Sequence, residues 1–252
     1  MNQTANRLKA LFTQHPWLPF VLPMAIFMLI GSLEPKPNAD SSTAIPYSYY
    51  PWVYAVKLIA TLASLAFVWP WFKTLAQTIR WKGIAVGIAG GIVWIYLCNL
   101  NWEQTTLLPL LKTWGLESLL GSGVRSAFNP FEEWKDQRMA TFAYLALRGF
   151  GLILIVPIIE EYFLRGFVMR YIASEHWTDY PIGRVTAVSA LVGTLLPMLM
   201  HPGELLAAAV WFSMISLLAW HTKNLWECIA AHSATNLILG IYVLTNGAWW
   251  LV

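Results

Sequence analysis

Long runs without a charged side chain constrain this chain more than any other feature. Gly83 to Leu100 and Leu205 to Trp220 contain no Asp, Glu, Lys or Arg. A helix needs about 20 mostly apolar residues to cross the roughly 30 Å hydrocarbon core of a bilayer. The chain of 252 residues is 58% hydrophobic and 12% charged, where soluble domains carry about 25% charged residues. The pattern predicts an all-α polytopic transmembrane helical bundle with about seven to eight membrane helices, surrounded by membrane lipid. The fifteen Trp suit both interfacial belts and helix packing. The net charge is +3, but the basic residues lie in loops and at segment ends. That is a topology signal and makes no basic patch, so nucleic acid is excluded as a partner. Cys98 and Cys228 lie in or beside apolar segments. They read as small core residues, with neither a disulfide framework nor metal spacing.

In chain order, Arg7 and Lys9 precede an apolar run from Trp17 to Leu33. Pro19, Pro23 and the lack of a small-x-small cleavage site before Glu34 predict a retained first helix. Glu34 to Pro51 is a loop. Trp52 to Phe72 is the second span, with Lys57 near its start expected to snorkel. Lys73, Arg80 and Lys82 make a basic connection. In the third span, Gly83, Gly87 and Gly91 fall at every fourth position, a small-residue seam that lets another helix approach closely. Asn101 to Arg138 mixes charges, Gly and Pro, and reads as a membrane-surface helix plus loop. Glu132 and Glu133 there read as a solvated face. Met139 to Ile159 is the fourth span. Arg148 inside it is expected to pair with an acid, line a cavity or snorkel, and Pro157 to kink the helix. Val185–Met200, Leu205–Trp220 and Leu225–Leu244 complete the spans. Excess Lys and Arg at the N-terminus, in Lys73–Lys82 and in Arg165–Arg184 predicts a cytoplasmic side for those connections.

The chain is organised around V-P-I-I-E-E-Y-F-L-R-G-F-V-M-R, Val156 to Arg170. Two carboxylates at the end of a greasy helix are expensive in lipid, and ionisable groups there point to function. Glu161 and Arg165 stand at i and i+4 with the acid first, the favourable order for an ion pair. Glu160 is about 100° away round the helix, so it is free to face a cavity. Two further polar clusters interrupt the apolar C-terminal half: His201, and His232 with Asn236 at i and i+4 on one helix face. One shared polar site explains three such clusters better than three separate core residues.

The chemistry that fits these residues is peptide-bond hydrolysis. A buried Glu loses solvation and becomes a stronger base; Glu160 with His201 would hold and deprotonate a water. His232 and the Asn236 amide would donate to the developing oxyanion. As an alternative, Glu160, His201 and His232 supply three ligands of an open zinc site. No H-E-x-x-H signature is present, and no Ser or Cys comes with a matching base and elbow.

E-E-Y-F-L-R-G, a His ending an apolar helix, and H-S-A-T-N together resemble the CAAX prenyl protease and bacteriocin-processing family of intramembrane proteases. Its pattern is E-E-x-x-x-R, F-x-x-x-H and H-x-x-x-N/D. Glu160, Glu161 and Arg165 match the first element, His201 the second, and His232 and Asn236 the third. Pro197 stands where the second element usually has Phe. The ending from His232 to Trp249 looks like the branch associated with PEP-CTERM/exosortase sorting. The resemblance covers about Met139 to Trp250. It implies N-terminal helices and a surface segment over 1–138 and a catalytic core over 139–252. It implies an endopeptidase in a bacterial inner membrane whose site opens from the membrane interior, acting on a membrane-anchored or lipidated peptide. It assigns the first Glu and first His to water activation, the last His and Asn to the oxyanion, and leaves metal use open. A non-catalytic scaffold or immunity-type protein of the same fold is the alternative; keeping Glu160, His201, His232 and Asn236 argues for the enzyme. A transporter would want inverted repeats, and the Glu160 region has no second copy.

Overall fold

Within hydrocarbon a backbone must satisfy its own polar groups, and a helix does so inside one segment. The computed structural model describes residues 3–35, 45–72, 75, 77–116 and 128–251, and among these there are helices and turns but no strand. Helix α1 (Gln3–Gln14) leads to α2 (Leu18–Gly31), α3 (Tyr50–Phe72) and α4 (Trp81–Asn99). Short helices α5 (Leu108–Thr113) and α6 (Pro130–Glu133) follow. A single rod then runs from Arg138 to Ala173. It is made of α7 (Arg138–Phe150), a π-helical turn at Gly151–Ile155, α8 (Val156–Glu161), a second π-helical stretch at Tyr162–Val168, and α9 (Met169–Ala173). Helices α10 (Ala187–Met198), α11 (Leu205–Thr222) and α12 (Leu225–Asn246) complete the bundle.

The all-helical membrane architecture is as expected, but the helices long enough to cross are fewer. Among the described residues five qualify: Tyr47–Phe72, Trp81–Thr113, Arg138–Ala173, Leu205–Thr222 and Leu225–Asn246. The apolar runs at the first and fifth expected spans give shorter helices, α2 of 14 residues and α10 of 12. At 1.5 Å per residue these reach only about 21 and 18 Å. Pro197 in the last turn of α10 is followed by 3₁₀-type closure, with Met200 N–H on the Pro197 carbonyl and His201 N–H on that of Met198. This helix therefore stops before the Pro202-Gly203 pair, with His201 in the turn that follows it.

The expected surface segment after α4 is only partly superficial. Asn101 breaks the helix with φ 51°, and the chain then continues helically to Thr113. Glu103 is 2% exposed, and its Oε1 accepts Leu206 N–H at 2.9 Å, capping the first turn of α11. Glu132 and Glu133 are exposed as expected, while residues 117–127 of this segment lie outside the described residues. So do 36–44 of the Glu34–Pro51 loop and Lys73 of the basic connection. Lys57 does not snorkel: it is buried, ion-paired with Glu34, and its Nζ lies 4.3 Å from the centre of the Phe27 ring. A charge this deep is tolerable when paired.

The glycine seam fixes α4 on α12, the most extensive helix pair. A Cβ at Gly87 would come 2.2 Å from the Ala231 carbonyl oxygen, and one at Gly91 3.0 Å from Ile238. At the seam's start the Glu227 carboxylate accepts the N–H groups of Arg80 and Gly83, so a buried acid of α12 caps the N-terminus of α4. Further along, Thr235 Oγ1 donates to the Gly87 carbonyl at 2.8 Å. Gly87→Ala should cost about 1–3 kcal/mol, the range for overpacking. Gly240→Ala, where a Cβ meets nothing within 4 Å, should be near neutral. Melting temperatures of the two variants in one detergent check this.

The basic connections meet at one end of the bundle. Lys223 Nζ donates to the Gly183 carbonyl at 3.2 Å, Asn224 Nδ2 to that of Thr78 at 2.8 Å, and Lys82 Nζ lies 3.2 Å from His221 Nε2. By the positive-inside rule this end is expected to face the cytoplasm. Single cysteines replacing the exposed Thr78 and Glu175, in a variant without Cys98 and Cys228, should resist an impermeant thiol reagent in intact cells. One replacing Glu132, at the other end of the rod, should react. The opposite labelling pattern would invert the orientation.

Candidate active site

Pro157 shapes the rod just ahead of the acids. It has no N–H to give, and the turn before it has widened, with Val156 N–H reaching back five residues to the Gly151 carbonyl. In that register the next carbonyl, Leu152, faces the proline and lacks a helical donor. Asn236 Nδ2 donates to it at 2.7 Å. π-turns of this kind often mark functional positions. One N–H of the Asn236 amide thus ties α12 to the widened turn, leaving the second as the one that could serve a substrate.

Beyond the widened turn, both carboxylates turn toward the same imidazole. Glu161 is 0% exposed, and its Oε1 lies 3.2 Å from Arg165 Nη1 and 3.2 Å from His232 Nδ1. Glu160, 8% exposed, brings Oε2 to 3.8 Å from His232 Nε2. The two acids diverge on the helix, as consecutive residues must, and address opposite nitrogens of one ring. A carboxylate only accepts, so His232 Nδ1 carries the hydrogen, and Nε2 is the nitrogen left for chemistry. Arg165, 2% exposed, also donates through Nη2 to the Phe212 carbonyl at 3.1 Å and approaches Ser216 Oγ at 3.4 Å. The expected Glu161–Arg165 pair is therefore present. Glu161 also holds the His232 ring through Nδ1–H, a contact between residues seventy-one apart that helical spacing could not reveal.

His201 follows the end of α10. Its Nδ1 lies 2.9 Å from the Pro197 carbonyl, so Nδ1 again bears the hydrogen and Nε2 is left over. Its ring packs 5.6 Å from Trp94 and 5.7 Å from Phe212. His232 packs 4.6 Å from Trp211, whose ring is 4.8 Å from Phe212. The two histidines thus lean on neighbouring rings of one turn of α11. Trp211 Nε1 donates to Thr235 Oγ1 at 2.9 Å, which holds the indole against His232. Trp211 and Thr235 escaped sequence reasoning, because an apolar run gives no sign of which of its aromatics touches a polar side chain.

The donors weighed for zinc are not gathered into one group. Among the described residues no three His, Cys, Asp or Glu side chains come together as metal ligands. Glu160 and His232 adjoin, while His201 has its Nδ1 committed to Pro197. The residues do not fit a three-ligand site as arranged.

Residues 142–238 match the family model of the Rce1-like type II CAAX prenyl endopeptidases. The matched part is less than half of the chain but contains Glu160, Glu161, Arg165, His201, His232 and Asn236. It supports, at the level of the family, a membrane-embedded peptidase. No curated protein and no solved structure matches the chain significantly.

Glu161→Gln should leave Arg165 buried without its counter-charge, at a cost of about 3–5 kcal/mol. Its melting temperature should fall together with that of Arg165→Gln, and the double variant should be no worse than additive. Thermal unfolding of the three variants in one detergent checks this.

Proposed function

We propose that this protein is an intramembrane endopeptidase that cleaves a membrane-anchored or C-terminal peptide with water activated by Glu160. The observation that carries the reading is the buried His232 ring held between Glu161 at Nδ1 and Glu160 at Nε2. At 3.8 Å, Glu160 Oε2 is too far from Nε2 for a hydrogen bond, so its lone pairs are available to a water. Glu160 takes a proton as the water oxygen attacks the scissile carbonyl carbon, with the unprotonated Nε2 of His201 orienting that water. The oxyanion receives the second N–H of Asn236 and an Nε2–H of His232. A doubly protonated His232 also brings the buried quartet of two carboxylates, guanidinium and imidazole to zero net charge, which suits a low-dielectric setting. As the intermediate collapses, Glu160 returns the proton to the leaving amine nitrogen. Hydrolysis is then balanced with no other reactant.

The finer assignment rests on sequence. H-S-A-T-N and the residues after it support the PEP-CTERM/exosortase-associated branch, a bacterial inner-membrane location and a lipidated or sorted substrate. The intact Glu160, His201, His232 and Asn236 favour the enzyme over a scaffold.

Glu160→Gln keeps the shape of the site but cannot take the proton. It should fold, bind peptide and show no cleavage by mass spectrometry, while wild type in the same detergent cleaves. A Glu160→Gln protein that still cleaves would remove Glu160 from the reaction. Asn236→Ala should lower turnover by about a hundredfold or more with binding largely kept, as for a lost oxyanion donor. Near-normal turnover would leave Asn236 as only the tie to Leu152.

A further inference from the structure

The cations inside the bundle have partners. Lys57 pairs with Glu34 and Arg165 with Glu161, while Arg170 donates to the carbonyls of Gly166, Thr178 and Tyr180. Arg148 takes tyrosines in place of the expected acid: Nη1 donates to Tyr50 Oη at 2.7 Å, and the guanidinium carbon lies 5.1 Å from the Tyr54 ring. Bases of a different kind gather where α4 begins and α11 ends. Arg80, Lys82, His221 and Lys223 are exposed there, and among the described residues none of them forms an ion pair with a carboxylate. Lys82 Nζ lies 3.2 Å from His221 Nε2, so two bases from neighbouring helices meet side by side. An ammonium only donates, which makes Nε2 the acceptor and puts the imidazole hydrogen on Nδ1. The other N–H groups of Lys82 and this Nδ1–H remain for a ligand. Glu227, the acid that reaches this corner, is 1% exposed and spent on the backbone N–H groups of Arg80 and Gly83.

The surroundings of this pair suit a lipid. Trp81, next to Lys82, is 73% exposed, and Trp220, next to His221, is 55% exposed. Exposed Trp beside bases marks the headgroup level of a bilayer. Toward the membrane interior, Ala85 and Ala89 follow Lys82 at i+3 and i+7 on one exposed face of α4. Leu217, 64% exposed, precedes His221 by one turn of α11. Methyl side chains along α4 leave room beside that helix for an acyl chain. We infer that this corner binds an anionic phospholipid, with its phosphate on Lys82 and His221 and one acyl chain along Ala85 and Ala89. Basic pockets between transmembrane helices on the cytoplasmic side suit acidic headgroups, because that leaflet is the negatively charged one. A zwitterionic lipid brings its own cation and gains less from a cluster of bases. The bound phosphate joins the start of α4 to the end of α11. These two helices carry Trp94, against His201, and Trp211, against His232.

The test titrates the full-length protein in neutral detergent with phosphatidylglycerol or phosphatidylcholine of the same acyl chains, and native mass spectrometry counts the lipids retained. Wild type should hold its first phosphatidylglycerol at least tenfold more tightly than its first phosphatidylcholine. One cation near an acidic headgroup is worth about fivefold. Lys82→Gln should lose about that much of the preference, and the double variant Lys82→Gln/His221→Gln nearly all of it. Lys82→Arg should keep it. So should Arg138→Gln, which removes an exposed base at the other end of the rod. Equal retention of the two lipids, or a preference that survives in the double variant, would overturn the assignment. So would a preference that falls as far in Arg138→Gln as in Lys82→Gln. Displacement of phosphatidylglycerol by an equal concentration of inorganic phosphate would overturn it in favour of a free-anion site.

Discussion

Two adjacent carboxylates buried in a membrane protein need two separate sources of compensation, and much of the C-terminal half serves that need. Glu161 takes Arg165 from its own helix and the Nδ1–H of His232 from α12. Arg165 in turn anchors to the Phe212 carbonyl of α11. One charge pair thereby joins the rod, α11 and α12, and it does so where Glu160 needs a fixed neighbour. The cost of breaking such a pair makes the arrangement rigid. Rigidity is what a site must have if donors are to await developing charge.

The supports around this centre repeat one device, an acid or small residue placed so that another helix can begin or approach. Glu227 caps α4 from α12, and Glu103 caps α11 from the segment after α4. Each acid is spent on orphaned N–H groups at a helix start. The glycine seam lets α4 lie against the Ala231 carbonyl, and Thr235 passes a hydrogen bond from Trp211 to Gly87. The ring packed on His232 is thus held by the same contact that holds the two helices together.

Much of this was legible in the residues. The charge-free runs announced helices, the spacing of Glu161 and Arg165 announced their pair, and the glycine repeat announced a close helix contact, because each depends on neighbours along one helix. What stayed hidden depends on contacts between helices. Glu161 reaching His232, Lys57 pairing with Glu34, Arg148 lying among tyrosines and Glu103 turning inward all join residues distant in sequence. Helix length was also misjudged where an apolar run outlasts the helix. The run to Met200 stays greasy after Pro197 has begun to close α10, so composition overstated a span that the backbone ends early.

Glu161 holds His232 through Nδ1, leaving Nε2 to face Glu160. Nitrogen NMR of imidazole-labelled protein in detergent tests it most directly, with the His232 signals assigned from their loss in His232→Gln. Nδ1 should be protonated, with a resolved one-bond coupling to a slowly exchanging hydrogen, and that protection should be lost in Glu161→Gln. An unprotonated Nδ1 in the wild type, or a signal indifferent to Glu161→Gln, would contradict it.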